Sequence, residues 1–303
     1  MAEGKKKIKI LGVPMDLGAD RRGVDMGPSA IRYAGLKPGL QGLGNVAEDA
    51  GNVTVPVAES LVPGDPRLKF LVEIAAAVNT LARQVAVAFA SGHFHLLLGG
   101  DHSITIGGVA GVARQVSGAL GLLWLDGHGD CNTPETTLTG NIHGMSLAVC
   151  LGYGSPDLVG CSFPGPKVLA RHTSLVGVRN LDPREQEFIQ KSGITVFTMK
   201  DIDQMGMQEV MRRALRVVSE GTAGFYTSLD MDVLDPREAP GVGTPVPGGI
   251  TYREAHLAME MVAESGSMLA MDVTEVNPIL DHSNKTAQLA VELVLSALGK
   301  TIL

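Results

Sequence analysis

The sequence predicts an α/β fold wound on both faces of a mainly parallel sheet, and two observations carry that expectation. Short apolar runs of strand composition alternate with longer helical patterns from end to end of the chain. Within those runs the apolar residues are continuous rather than alternating, as they are when helices cover both faces of a sheet.

In chain order, the strands are KIKILGV (7 to 13), HFHLLLGG (93 to 100), GLLWLD (121 to 126), TSLVGVR (173 to 179), ITVFTM (194 to 199), GFYTSLD (224 to 230) and MLAMDVTEV (268 to 276). Helices begin near Pro28, Ser103, Pro183, Tyr252 and Ser283, with Ser103 placed to cap the helix it opens. The clearest helical stretch runs from about Arg67 to Ser91, rich in Ala, Leu and Val, and Gly92 closes it. No repeat, low-complexity tract or long linker divides the chain, so residues 1 to 303 are expected to form one domain.

Composition narrows the function classes. Hydrophobic residues make up 45% and charged residues 19% of the 303, a globular balance, and the net charge of −7 argues against nucleic-acid and anionic-membrane surfaces. A small soluble substrate fits better. The three cysteines, Cys131, Cys150 and Cys161, are too few for a disulfide framework and read as free thiols in a reducing, cytoplasmic setting. The N-terminal stretch has too short an apolar segment for a signal peptide. No window is expected to reach the roughly 18 apolar residues of a membrane span.

Ligands of a parallel sheet bind beyond the carboxyl ends of its strands, and here strand after strand ends in polar residues. Asp101 and His102 follow LLLGG, DGHGD supplies Asp126, His128 and Asp130, SLDMD supplies Asp230 and Asp232, and Glu275 follows LAMDVT. If the backbone stays extended through DGHGD, period two turns its three ligands to one side. A single DxH or DxD after a strand is usually a cap or a solvated turn. Four carboxylates and two imidazoles at three strand ends are different, because uncompensated they repel one another at a cost of several kcal/mol. Two divalent cations balance them, and an oxygen-rich set with imidazole and no thiolate favours Mn²⁺. A pair of such ions shares ligands and holds a hydroxide between them. Motifs for phosphate loops, zinc proteases, paired thiolates and serine hydrolases are missing.

At GGDHS (99 to 103), DGHGDCNTPETTLTGNIHG (126 to 144), VGVRNLDPRE (176 to 185), SLDMDVLDP (228 to 236), GTPVPGGITYRE (243 to 254) and TEVNP (274 to 278) the chain resembles the arginases of bacterial type, within the ureohydrolase superfamily. The likeness covers nearly the whole chain. It implies a single domain with a largely parallel eight-stranded sheet, assembled as trimers or hexamers, and hydrolysis of L-arginine to L-ornithine and urea over two Mn²⁺. By the same likeness His102, Asp126, Asp130 and Asp230 would hold one ion, Asp126, His128, Asp230 and Asp232 the other, with Asp126 and Asp230 bridging. His143 would shuttle a proton to the departing amine, and Glu275 would position the guanidinium. Alone, His143 would read as a surface loop residue and Glu275 as a solvated strand end.

Substrate choice is expected to rest on Asn132, Thr137 and Thr139 as donors to the α-carboxylate, and on Asp182 and Glu185 facing the α-ammonium. The alternatives are a polar turn-rich loop and a helix cap at Asp182. Two positions depart from the resemblance: Gly127 stands where Ala is common, and Cys131 where an aliphatic residue is usual. The first is expected to loosen the backbone beside two ligands, and the second to pack as a small hydrophobe. The nearest rival reading is an amidinohydrolase acting on agmatine, guanidinobutyrate or formiminoglutamate. Another is a regulatory protein without turnover, which would be expected to have lost ligands.

Overall fold

Residues 5–301 are described by the computed structural model, so the first four and last two positions of the expected domain lie outside the described residues. Eight strands form: β1 (Lys7–Val13), β2 (Val46–Asn52), β3 (Phe94–Gly99), β4 (Gly121–Leu125), β5 (Thr173–Val178), β6 (Thr195–Thr198), β7 (Phe225–Asp230) and β8 (Met268–Thr274). They make one sheet in the order β2-β1-β3-β8-β7-β4-β5-β6. Every neighbouring pair is parallel.

Among the described residues ten α-helices lie between strands, α1 (Gly27–Tyr33), α2 (Leu36–Gly42), α3 (Leu71–Ala90), α4 (Ile104–Ala113), α5 (Ser146–Cys150), α6 (Pro156–Val159), α7 (Pro183–Ser192), α8 (Met199–Met205), α9 (Met207–Ser219) and α10 (Tyr252–Glu264), and α11 (Lys285–Ala297) follows β8. The continuous apolar runs have the physical meaning expected of them. Leu96, Leu98, Leu123 and Leu125 point into a core shared with α9, α10 and α11, whereas Leu97, Leu122 and Trp124 point into a second core against α3 and α4. Both faces are therefore dry, and alternate residues of one strand serve opposite cores.

β2 was not expected. Its sequence, VAEDAGN, is polar because it is an edge strand bonded only to β1 and mostly exposed. A correction concerns membrane spans: α3 has 20 residues and a mean hydropathy of 1.3, long and apolar enough by those measures to cross a bilayer. The reason is local. One face, with Ile74, Ala77, Val78, Leu81, Ala82 and Val85, is buried against α4 and the sheet, as in the core helix of a globular protein, while Val72 and Val87 on the other side are exposed.

Strand order decides where the site lies. The chain builds β1 to β3, passes to β4 to β6, then returns to insert β7 and β8 between β3 and β4. The carboxyl ends of β3, β8, β7 and β4 thus become neighbours, so residues far apart in sequence meet at the sheet's centre.

Candidate active site

His102 follows β3 and has its ring fixed from two sides. The imidazole stacks on Trp124 at 4.2 Å between centroids and 16° between planes. Its Nε2 lies 2.8 Å from Ser228 Oγ, while Ser228 donates its own hydroxyl hydrogen to Asp272 Oδ1 at 2.7 Å. With that hydrogen committed, Ser228 can only accept from the ring, so Nε2 carries the hydrogen and Nδ1 keeps its lone pair. That lone pair faces Asp126, Asp130 and Asp230, whose oxygens lie at 3.2, 3.1 and 3.0 Å. Nδ1 is buried with no hydrogen-bond donor opposite it. A lone pair among three carboxylates is repulsive unless a cation stands between them, so these residues fit a metal ion.

A second group of potential ligands joins the first through Asp126. Ligand atoms of Asp126, His128 and Asp232 lie within 4.8 Å of one another, as do those of His102, Asp126 and Asp230. His128 Nδ1 is 2.9 Å from Asp232 Oδ2. The carboxylates are braced: Asp126 accepts from Trp124 Nε1 at 2.8 Å on the oxygen that faces His102, Asp232 from Thr244 Oγ1 at 3.0 Å on the oxygen that faces His128, and Asp230 from the Asp232 N–H at 2.7 Å on its other oxygen. DGHGD is not extended to its end, a correction to the period-two expectation. Asp130 adopts φ of 48°, and its carbonyl accepts the N–H groups of Leu147 and Ala148 where α5 begins. The bend, rather than alternation, turns Asp130 toward His102.

Electrostatics describe a site short of positive charge. Burial opposes protonation of His128, yet Asp232 and Asp126 hold it protonated up to about 12. Burial and then Asp126 push Asp130 up to about 6, and burial and Asp232 push Asp230 well above the carboxylate range.

Beside this cluster opens a cavity of about 200 Å³ lined by His128, Asp130, Asn132, Thr139, His143, Asp182 and Glu185 among others. Thr137 does not line it, since its hydroxyl closes the loop's own turn by accepting the Gly140 N–H at 2.9 Å. Asp182 both lines the cavity and caps α7, in a capping box with Glu185. Glu185 is buried with both oxygens engaged, accepting the Cys131 N–H at 2.9 Å and the Asp182 N–H at 3.3 Å. Burial pushes it up to about 7. Glu275, which alone read as solvated, is 1% exposed: Oε1 accepts the His102 N–H and faces His143 Nδ1, both at 2.9 Å, while Oε2 is buried without a partner.

Several residues were missed. Asn180 and Thr244 line the cavity, and Ser228, Thr105 and Tyr226 converge on buried Asp272 behind His102. For Asp272, Ser228 and Tyr226 the signal was a carboxylate and hydroxyls inside runs read as apolar strands. Ser103 does not cap α4; its hydroxyl donates to Asp101 instead. Cys131 is fully buried, and burial raises its thiol well above the ordinary range, so it packs as a hydrophobe. All three cysteines are free and buried. At Gly127 the issue is space: a Cβ would come within 2.9 Å of Arg179 Nη1, whose guanidinium binds the carbonyls of Asp232, Val233, Leu234 and Val246.

A parallel α/β sheet whose central strand ends gather aspartates and histidines able to hold metal defines a hydrolase of the metal-dependent ureohydrolase class. The arginase family model matches residues 6–299, and the chain belongs to the arginase family. It is 50% identical to the arginase of Bacillus caldovelox over 299 residues, covering 98% of this chain and all of that one. The crystal structure of that enzyme superposes with a TM-score of 0.96 over the same coverage. Arginase from Entamoeba histolytica, solved in complex with L-ornithine, is 28% identical with a TM-score of 0.89, covering 98% of this chain and 99% of that one.

Proposed function

We propose that this protein hydrolyses L-arginine to L-ornithine and urea with two Mn²⁺ bound at its aspartate–histidine cluster. The observation that carries the reading is the His102 lone pair directed at three carboxylates in a buried site. His102, Asp126, Asp130 and Asp230 would hold one ion and Asp126, His128, Asp230 and Asp232 the other, Asp126 and Asp230 bridging. Bound there, divalent ions lower the pKa of water enough for it to attack the guanidinium carbon at neutral pH.

Protein groups supply the rest. The unsatisfied Oε2 of Glu275 is an acceptor suited to a guanidinium N–H, which would align the substrate's planar end. As the water oxygen, one proton already given up, bonds to the guanidinium carbon, the bond from that carbon to the substituted nitrogen would break, the nitrogen would take a proton to leave as the amine, and the second O–H proton would pass to solvent to leave urea. His143 is placed to give it. A carboxylate can only accept, so the contact with Glu275 fixes hydrogen on Nδ1 and leaves Nε2 for transfer. Burial lowers this imidazole, but the charge of Glu275 more than offsets that and holds it at about 9, protonated at neutral pH.

At the far end, Asp182 would offset the α-ammonium, with Glu185 behind it, while Asn132 and Thr139 would donate to the α-carboxylate and Thr137 would shape the turn that carries Thr139. The L-ornithine complex of the Entamoeba relative supports a site shaped for that end. The family resemblance also supports a homo-oligomer, trimer or hexamer, and the free buried cysteines support a cytoplasmic setting; sedimentation would give the assembly size. Urea release from L-arginine by manganese-loaded protein, lost on chelation and restored by Mn²⁺, tests the central reading. Full turnover after exhaustive chelation, or one zinc per chain, would remove it.

A further inference from the structure

Lys69 stands just before α3, far in sequence from every residue of the cavity, yet it ties the loop that carries cavity-lining Thr139 to the N-terminal loop that holds the His143 backbone. Its backbone N–H donates to the Gly140 carbonyl at 3.1 Å. Its ammonium reaches Asn141 Oδ1 at 3.1 Å and Asp20 Oδ1 at 2.7 Å. The approach is close: Gly140 has φ of 76°, and a Cβ there would fall 1.8 Å from the Pro66 carbonyl oxygen. Only glycine lets the segment before α3 lie against this loop.

One tethered loop carries a group of the site and the other holds one through its backbone. Asn141 ends the stretch holding cavity-lining Thr139, whose hydroxyl accepts the Asn141 N–H at 3.2 Å. Asp20 belongs to the N-terminal loop, where Gly18 accepts the His143 N–H at 3.1 Å and donates its own N–H to Asp101 Oδ2 at 2.8 Å. The Lys69 side chain is only 26% exposed, whereas Asp20 is 62% exposed, so the ion pair itself adds little stability. Its effect is on position.

We propose that Lys69 is a positioning residue for substrate specificity, clasping the 137 to 141 loop to the N-terminal loop so that the loop's donors meet the α-carboxylate. This rests on the arginine reading above. Removing the ammonium frees the loop where the carboxylate would sit but leaves the metal cluster and Glu275 untouched, so substrates with and without an α-carboxylate respond differently. A merely structural role would affect both alike.

The experiment compares manganese-loaded wild type, Lys69→Met, Lys69→Arg and Asp20→Asn, with kcat and KM for L-arginine and agmatine and calorimetric binding of L-ornithine and 1,4-diaminobutane. Lys69→Met is expected to raise KM for arginine about tenfold and weaken ornithine similarly, with agmatine and diaminobutane nearly unchanged and metal content intact. Lys69→Arg should recover most of the loss. Asp20→Asn, which keeps the side-chain volume, should shift the same ratio in the same direction and decides the matter if Lys69→Met folds poorly. An unchanged preference, or equal losses on both ligand pairs, overturns the clasp. Wild type that does not prefer arginine overturns the arginine reading instead.

Discussion

His143 Nδ1 lies 2.9 Å from Glu275 Oε1, joining a cavity-lining residue of the loop after β4 to the buried strand end after β8. The pair gives each partner a fixed state: the imidazole holds its hydrogen toward the carboxylate, and the carboxylate keeps its second oxygen open.

If His143 supplies the proton to the departing amine, His143→Ala should lower kcat about 10²-fold, within the range of general acid–base catalysis, with metal content unchanged. Steady-state kinetics alongside elemental analysis checks this. An unaltered kcat would take His143 out of the mechanism.

The contact between Ser228 and His102 should govern metal retention. Ser228→Ala leaves His102 Nε2–H without its acceptor and frees the ring's tautomer, a change that typically weakens metal binding about 10- to 100-fold. Calorimetric titration of metal-free protein with Mn²⁺ measures it. Equal affinity in the variant would mean that the hydroxyl does not orient the ligand.

Stability should depend on pH through His95, away from the site. This β3 residue is buried, and burial lowers its pKa to about 4 against a smaller opposing contribution from the Val85 backbone. Unfolded, the same imidazole takes its proton near 6.5. The unfolded chain therefore binds the extra proton between those values, so stability is full above about 6.5 and falls as pH drops toward 4, by up to roughly 3 kcal/mol. Denaturant unfolding of wild type and His95→Leu at about pH 7 and about pH 4.5 checks the sign. The wild-type loss should exceed the variant's; identical losses would mean that His95 is not the group responsible.

What the sequence made legible was the part written in local pattern. Seven strands stood out as continuous apolar runs, although β6, at the far edge of the sheet, is only partly buried, and the candidate ligands stood out because they end or closely follow such runs. β2 escaped, since an edge strand needs no apolar face, and α2 escaped because LKPGLQG carries Pro38, Gly39 and Gly42. α9 could have been found: Met207, Val210, Met211, Ala214 and Val218 repeat at helical spacing and are the residues it buries. Asp182 shows the limit of motif reading, because helix cap and cavity wall, posed as alternatives, are one residue's two positions.

That double placement makes Asp182 the residue on which the account turns. The most direct measurement is urea release from L-arginine and from agmatine, side by side, by manganese-loaded wild type and Asp182→Ala. A polar site can reject an analogue lacking its matching group by about 10⁴-fold, and an open rim should give less, so wild type is expected to prefer arginine by at least roughly 10²-fold in kcat/KM. Asp182→Ala should cut kcat/KM for arginine sharply with manganese still bound, while loss of the cap costs about 1 kcal/mol of stability. Equal wild-type rates on the two substrates, or a variant as active on arginine as wild type, would contradict the assignment of arginine as substrate.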